Sequence, residues 1–287
     1  MKKMNIKKIA LILSAISIGA FLIAGLLFVF GINSYGYLEK NIYEEKIHQI
    51  DNLDLILIKS PSFDVKILPV ESDEIKITLT GRGKASSEEI FPRLTTKIIG
   101  DKLIIEVKPI RQFSIGFSFF SSNLKLEIYL PKSYKNNLDL VVSSADVVIN
   151  DLAINNFNFS TSSGDLDLTS FKANRSIMRV SSGDIIAAGF NGDLEIVSSS
   201  GEAYIEYEKF NNNVTLRSSS GNITLKLPPE SRFYLKADTS SGNIVTDFPI
   251  AIIGSIKEDY LEGTAGDSNN RIEIKTSSGD IELLINK

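Results

Sequence analysis

Ser162-Ser163-Gly164-Asp165-Leu166 is one of seven copies of the same five-residue stretch, and its recurrence decides the fold. The other copies begin at Ser143, Ser181, Ser199, Ser219, Ser240 and Ser277; the fourth position is Asp, Glu or Asn and the fifth is apolar. The glycine position, alanine (Ala145) in the first copy, advances by 19, 19, 18, 20, 21 and 37 residues. A period near 19, with a last step close to two periods, marks a repeat architecture in which each unit buries its apolar face against its neighbours.

The residues on either side of each copy alternate. Leu138, Leu140, Val142 and Ser144 share one face. So do Phe157, Phe159, Thr161 and Ser163, and the rows ending at Ser200, Ser241 and Ser278. After the Gly-Asp pair the parity slips by one, to Leu166 and Leu168, Ile185 and Ala187, Ile223 and Leu225, or Ile281, Leu283 and Ile285. A slip at glycine is what a bend between two strands produces, because glycine tolerates the unusual backbone there. Each unit reads as strand, glycine corner (Gly164, Gly183, Gly201, Gly221, Gly242, Gly279), strand and Asn-rich turn. Phe171, Phe190 and Phe210 recur just before these turns, placed to stack. Near-identical side chains returning at one corner favour a parallel β-solenoid over meandering hairpins, each coil about 4.8 Å above the last. In that geometry the second serines, Ser144, Ser163, Ser182, Ser200, Ser220, Ser241 and Ser278, are expected to form an internal hydroxyl ladder, with the first serines outward.

Upstream, period-two runs fill residues 51–137: Phe63, Val65, Ile67; Ile75, Ile77, Leu79; Leu103, Ile105, Val107; and Leu124 to Leu130, closed by Pro131. Gly100-Asp101 suits a tight hairpin turn. No compositional break separates this part from the repeats, so 51–287 reads as one all-β domain, regular from about residue 138. Residues 37–50 read as a short amphipathic helix, with Leu38, Ile42 and Ile47 on one side, inside a stalk spanning 33–50. Residues 113–120 hold Phe113, Phe117, Phe119 and Phe120. They suit a strand that caps the open end of the solenoid; the alternative is an exposed apolar patch for membrane or partner contact. Segment 249–270 interrupts the period and is expected to leave the stack as a loop.

Residues 9–32 contain no charge and follow Lys2, Lys3, Lys7 and Lys8. Such a run, about 36 Å long as a helix, suits a transmembrane anchor with residues 1–8 in the cytoplasm and the β domain extracytoplasmic. A cleaved signal peptide would have a shorter apolar region and an A-x-A site. Four of the 31 basic residues lie before residue 33, leaving 27 against 35 acids, a balance that speaks against nucleic acid as partner. The chain has no Cys, which excludes disulfides, thiolate metal sites and a cysteine nucleophile.

The anchor run, Leu126-Glu127-Ile128-Tyr129-Leu130-Pro131, the repeated S-S-G-D/N and Gly263-Thr264-Ala265-Gly266 together resemble a bacterial family of unknown function named for adhesins with β-strand repeats, which includes membrane-anchored LiaG-like cell-envelope proteins. The resemblance covers nearly the whole chain and implies a parallel β-helix at the cell surface.

Catalysis finds little support. Serine hydrolysis needs a base, and the single histidine, His48, lies far from the repeats in sequence and reads as a surface residue. The row Asp146, Asp165, Asp184, Glu202, Asp280 invites calcium, but Asn222 and Asn243 interrupt it and the nine-residue calcium-roll repeat is absent. A glycan-cleaving β-helix would need a distinctive carboxylate pair in one coil, and no coil stands apart. The reading is therefore a membrane-anchored, non-catalytic binding or scaffolding module that needs no cofactor or metal. Its partners are the bilayer, through 9–32, and an envelope polymer or protein; an envelope glycan-acting enzyme is the alternative.

Overall fold

The computed structural model describes residues 13–14, 16–26, 38–109, 120–253, 257–267 and 269–286. Residues 13–14 and 16–26 are helical, and among the described residues no helix is long and apolar enough to cross a membrane. The rest of 9–32, and Phe113, Phe117 and Phe119, lie outside the described residues.

Strands make up nearly everything else. Before the repeats come β1 (Leu38–Gln49), β2 (Leu55–Ser60), β3 (Asp64–Val70), β4 (Glu74–Ala85), β5 (Pro92–Ile99), β6 (Lys102–Pro109), β7 (Phe120–Ser122) and β8 (Lys125–Pro131). The repeats supply β9 (Asn137–Val142), β10 (Val147–Asn150), β11 (Ala153–Ser163), β12 (Leu166–Thr169), β13 (Lys172–Ser182), β14 (Ile185–Ser200), β15 (Ala203–Tyr207), β16 (Val214–Ser220), β17 (Ile223–Leu227), β18 (Phe233–Ser241) and β19 (Ile244–Thr246). After them come β20 (Ala251–Ile252), β21 (Tyr260–Ala265), β22 (Arg271–Ser278) and β23 (Ile281–Ile285).

The strands build two walls. One runs β5-β6-β2-β9-β11-β13-β14-β16-β22-β18-β21-β20. The other runs β1-β4-β8-β3-β10-β12-β14-β15-β17-β23-β19, with β7 also on β4. Long β14 serves both, turning between them near Gly189 and Gly192, each at positive φ. Pairing is parallel through the middle and antiparallel at β5–β6, at β4 with β1, β7 and β8, and at β18–β21–β20, while β19 ends its wall in parallel on β23. Alternating rows meet inside: Leu138, Phe157, Met178, Ile196, Leu216, Ile274 and Ala237 from one wall, Ile67, Ile149, Leu168, Ala187, Ile205, Leu225 and Leu283 from the other.

An aromatic column runs along the axis. Phe157, Phe171, Phe190, Tyr207, Phe210, Phe233 and Phe248 follow one another at ring-centroid distances of 5.0, 6.1, 5.3, 5.2, 6.1 and 5.2 Å. Phe171 and Phe190 stack as expected, at 16°. Tyr207 stands between Phe190 and Phe210, its hydroxyl donating to the Gly192 carbonyl at 2.9 Å, and burial pushes its pKa well up.

Four expectations need correction. Residues 38–49 form a strand, not a helix or stalk: β1 pairs with β4 along its whole length and buries Ile42, while Ile47 faces solvent. The edge of β4 needs a hydrogen-bonding partner, and that tertiary demand overrides the helical spacing. Segment 249–270 is not simply a loop, since β20 and β21 extend the wall antiparallel from β18. The coils are also not stacked in strict chain order. The last unit, β22–β23, is inserted between β16–β17 and β18–β19, and β2–β3 is inserted between β6/β8 and β9–β10. The fourth correction concerns the serines.

Candidate functional site

The repeated corner holds the residues that recur from copy to copy. Gly164, Gly183, Gly201, Gly221, Gly242 and Gly279 have φ between +112° and +155°. A Cβ on Gly183 would lie 2.2 Å from the Gly164 carbonyl oxygen, and one on Gly201 would lie 2.0 Å from that of Gly183. Both the left-handed backbone and the close approach of successive coils exclude any side chain. Ala145 is tolerated because the next layer is not a glycine corner. It is the turn Ser60–Phe63, closed by Ser60 Oγ donating to Phe63 O at 2.7 Å and joined to the corner by Ser144 N–H donating to Pro61 O at 2.9 Å.

The second serines do stack in register, Ser163 on Ser182 and Ser182 on Ser200, but every one of them is exposed. The chain is already leaving the wall as it enters the corner, so the alternation that points Thr161 inward no longer applies two residues later. The hydroxyl row that serves the corner stands earlier. Thr161, Ser198 and Ser218 donate to the carbonyls of Ser163, Ser200 and Ser220 at 2.9, 3.1 and 2.9 Å, and Thr239 donates to Gly279 O at 3.0 Å.

The acid row is likewise part of the scaffold. Asp165 N–H donates to Asp146 Oδ1 at 3.0 Å, Asp184 N–H to Asp165 Oδ1 at 2.8 Å, and Glu202 N–H to Asp184 Oδ1 at 2.8 Å. Asp280 N–H donates to Asn222 Oδ1 at 3.0 Å, and Asn243 N–H to Asp280 Oδ1 at 2.8 Å. The acceptor is the Oδ1 that Asp and Asn both carry, which explains their interchange at the fourth position. Glu202 is longer, and its Oε1 accepts instead from Asn222 Nδ2 at 3.4 Å. On the exposed face of one wall side-chain amides also bridge coils, Asn156 Nδ2 donating to Asn137 Oδ1 and Asn158 Nδ2 to Asp139 Oδ1, each at 2.7 Å. Among the described residues no three His, Cys, Asp or Glu side chains converge on a point that could hold a metal ion.

A profile of the Toastrack DUF4097 family matches residues 53–185 and again 143–284. The chain belongs to that family. The two overlapping matches span the Toastrack solenoid almost from end to end. Solved structures are similar to it at low identity. One, from Clostridium sporogenes ATCC 15579, is described as a "putative cell adhesion protein", with 18% identity, TM-score 0.39, and coverage of 86% of this chain and 100% of its own. Another, from Bacteroides fragilis NCTC 9343, is described as a "putative adhesin", with 13% identity, TM-score 0.41, and coverage of 84% and 97%. A third, from Parabacteroides distasonis ATCC 8503, is described as a "Putative lipid binding protein", with 12% identity, TM-score 0.34, and coverage of 85% and 97%. No curated protein sequence matches.

The parts of this Toastrack chain that are not repeated lie at its ends. Phe120, the described member of the Phe-rich run, packs edge-on to Phe63 and Phe91 at 6.3 and 6.2 Å. It covers the core, in keeping with a cap. Glu44, unremarkable in sequence, joins the two walls there: Oε1 accepts from Arg93 Nη1 at 2.9 Å and Oε2 from Leu94 N–H at 2.7 Å. His48 is half-buried beside it, Nε2 lying 2.8 Å from Thr96 Oγ1. Burial lowers its pKa, and the Lys46 charge lowers it further.

Proposed function

We propose that this protein is a membrane-anchored solenoid of the cell envelope that binds or scaffolds without catalysis. Residues 9–32 anchor it, residues 1–8 face the cytoplasm, and the β domain is extracytoplasmic. The observation that carries the non-catalytic reading is the bonding at the corner. The repeated aspartates accept backbone hydrogen bonds from the next coil, and the repeated serines stand exposed. Binding is then a property of the walls and of the two irregular ends, where side chains are not copied from coil to coil.

The test is a panel of cell-wall polymers presented to the purified full chain, scored for both retention and cleavage. Retention without cleavage supports the reading. Cleavage lost on changing one carboxylate would put a glycan-acting enzyme ahead. Topology is checked separately: with no native cysteine, Asp267→Cys on intact cells or spheroplasts should react with a membrane-impermeant thiol reagent, and reaction only after lysis would reverse the orientation.

A further inference from the structure

We infer that the β1/β5 end of the solenoid rests on the bilayer surface, so that the coils stack away from the membrane and β18–β21 form the distal tip. The inference rests on the anchored reading above and deepens it. Its starting point is where the chain enters the fold. Only residues 33–37 separate the apolar run from Leu38, the first residue of β1. Six Cα-to-Cα steps at about 3.5 Å reach at most about 21 Å. Among the described residues β1 is the outermost strand of its wall, paired with β4, and β5 is the outermost strand of the other. A tether that short holds the terminal layer, not the middle of the stack, near the lipid.

The composition of that layer fits an anionic interface. Tyr43, Ile47, Ile98 and Ile99 are all exposed there. β1 and β5 carry three acids and four bases, although the chain beyond residue 32 is acidic overall. Among these, Glu39 pairs with Arg82 and Lys84, and Glu44 with Arg93. Lys46 and Lys97 are exposed. At the other end, residues 233–265 carry five acids and two bases. Anionic headgroups attract the first end and repel the second. Among the described residues the outer edge of β1 has no strand partner, and this sets the depth: its backbone N–H and C=O groups need polar partners, which the headgroup layer supplies and the hydrocarbon does not. The end therefore sits on the membrane and does not insert.

Absence of native Cys makes the experiment clean. Ile47→Cys on β1 and Val245→Cys on β19 are both exposed substitutions and stand ten strand steps apart, about 48 Å at 4.8 Å per step. Each full-length variant carries a fluorophore and is reconstituted in phosphatidylcholine–phosphatidylglycerol vesicles containing headgroup-nitroxide lipid. Quenching at residue 47 should exceed that at 245 by at least about twofold, given that separation. Ile99→Cys and Ile252→Cys repeat the comparison on the other wall. Equal or reversed quenching in protein that floats with the vesicles overturns the orientation while leaving the anchor intact. Failure to float overturns the anchored reading itself, and the orientation with it.

Discussion

At the scale of single residues, the corner separates positions that look alike in sequence. Gly183→Ala must place a Cβ at φ +128° and 2.2 Å from a carbonyl oxygen, and we expect a loss of about 2–4 kcal/mol in denaturant unfolding. Ser182→Lys, one position earlier, leaves stability within about 0.5 kcal/mol because the side chain is exposed. A large loss there would restore the internal ladder. Asp165→Asn keeps the Oδ1 that accepts from Asp184 N–H and should be near neutral, whereas Asp165→Ala removes it at about 1 kcal/mol. Ser176 is fully buried and its hydroxyl has no hydrogen-bond partner among the described residues. Ser176→Ala should raise the unfolding midpoint, by about 1 kcal/mol in stability, since it removes an unsatisfied group.

Among the elements, β1 carries the most specific pH expectation. His48 has its folded pKa below the unfolded value of 6.5, so the unfolded chain binds the proton more readily. Its contribution is fully present above pH 6.5 and declines as pH falls through that value toward the lowered folded pKa. Wild type should therefore lose stability between neutral and mildly acidic pH relative to His48→Gln, which lacks the titration. Parallel pH profiles of the two would show that the β1–β5 contact does not report on this histidine. The β20–β21 pair has a different task. β18 would otherwise present a bare parallel edge, and the antiparallel return covers it.

Across the whole molecule, the intercalated coils govern cooperativity. In a simple solenoid the terminal coils fray first, because each unit is held from one side. Here β2–β3 and β22–β23 are each paired on both sides, although they are the first and last complete coils of the chain. We expect backbone amides of β22 and β23 to exchange as slowly as those of β13, measured by hydrogen exchange under native conditions. Exchange ordered by distance from the C-terminus would contradict the intercalation. Truncation before Arg271 should leave two unpaired edges inside the stack and abolish the cooperative transition, where an ordinary terminal deletion would merely shorten the solenoid.

The sequence by itself determined the repeat, the inward rows, the glycine corners and the Gly100-Asp101 turn, because each follows from interactions within one coil or between identical neighbours. The interchange of Asp and Asn at the fourth position already carried the bonding pattern, because both residues present the same Oδ1 acceptor. Tertiary structure decided the rest. Whether Leu38–Gln49 is helix or strand depended on the open edge of β4, which no local spacing reports. The direction of Ser163 and its equivalents depended on where the wall ends and the corner begins. The places of β2–β3 and β22–β23 were invisible because parallel coils of one register are interchangeable neighbours. The same rows that make a repeat legible carry no label saying which copy lies beside which, and only the closing of both ends settles the order.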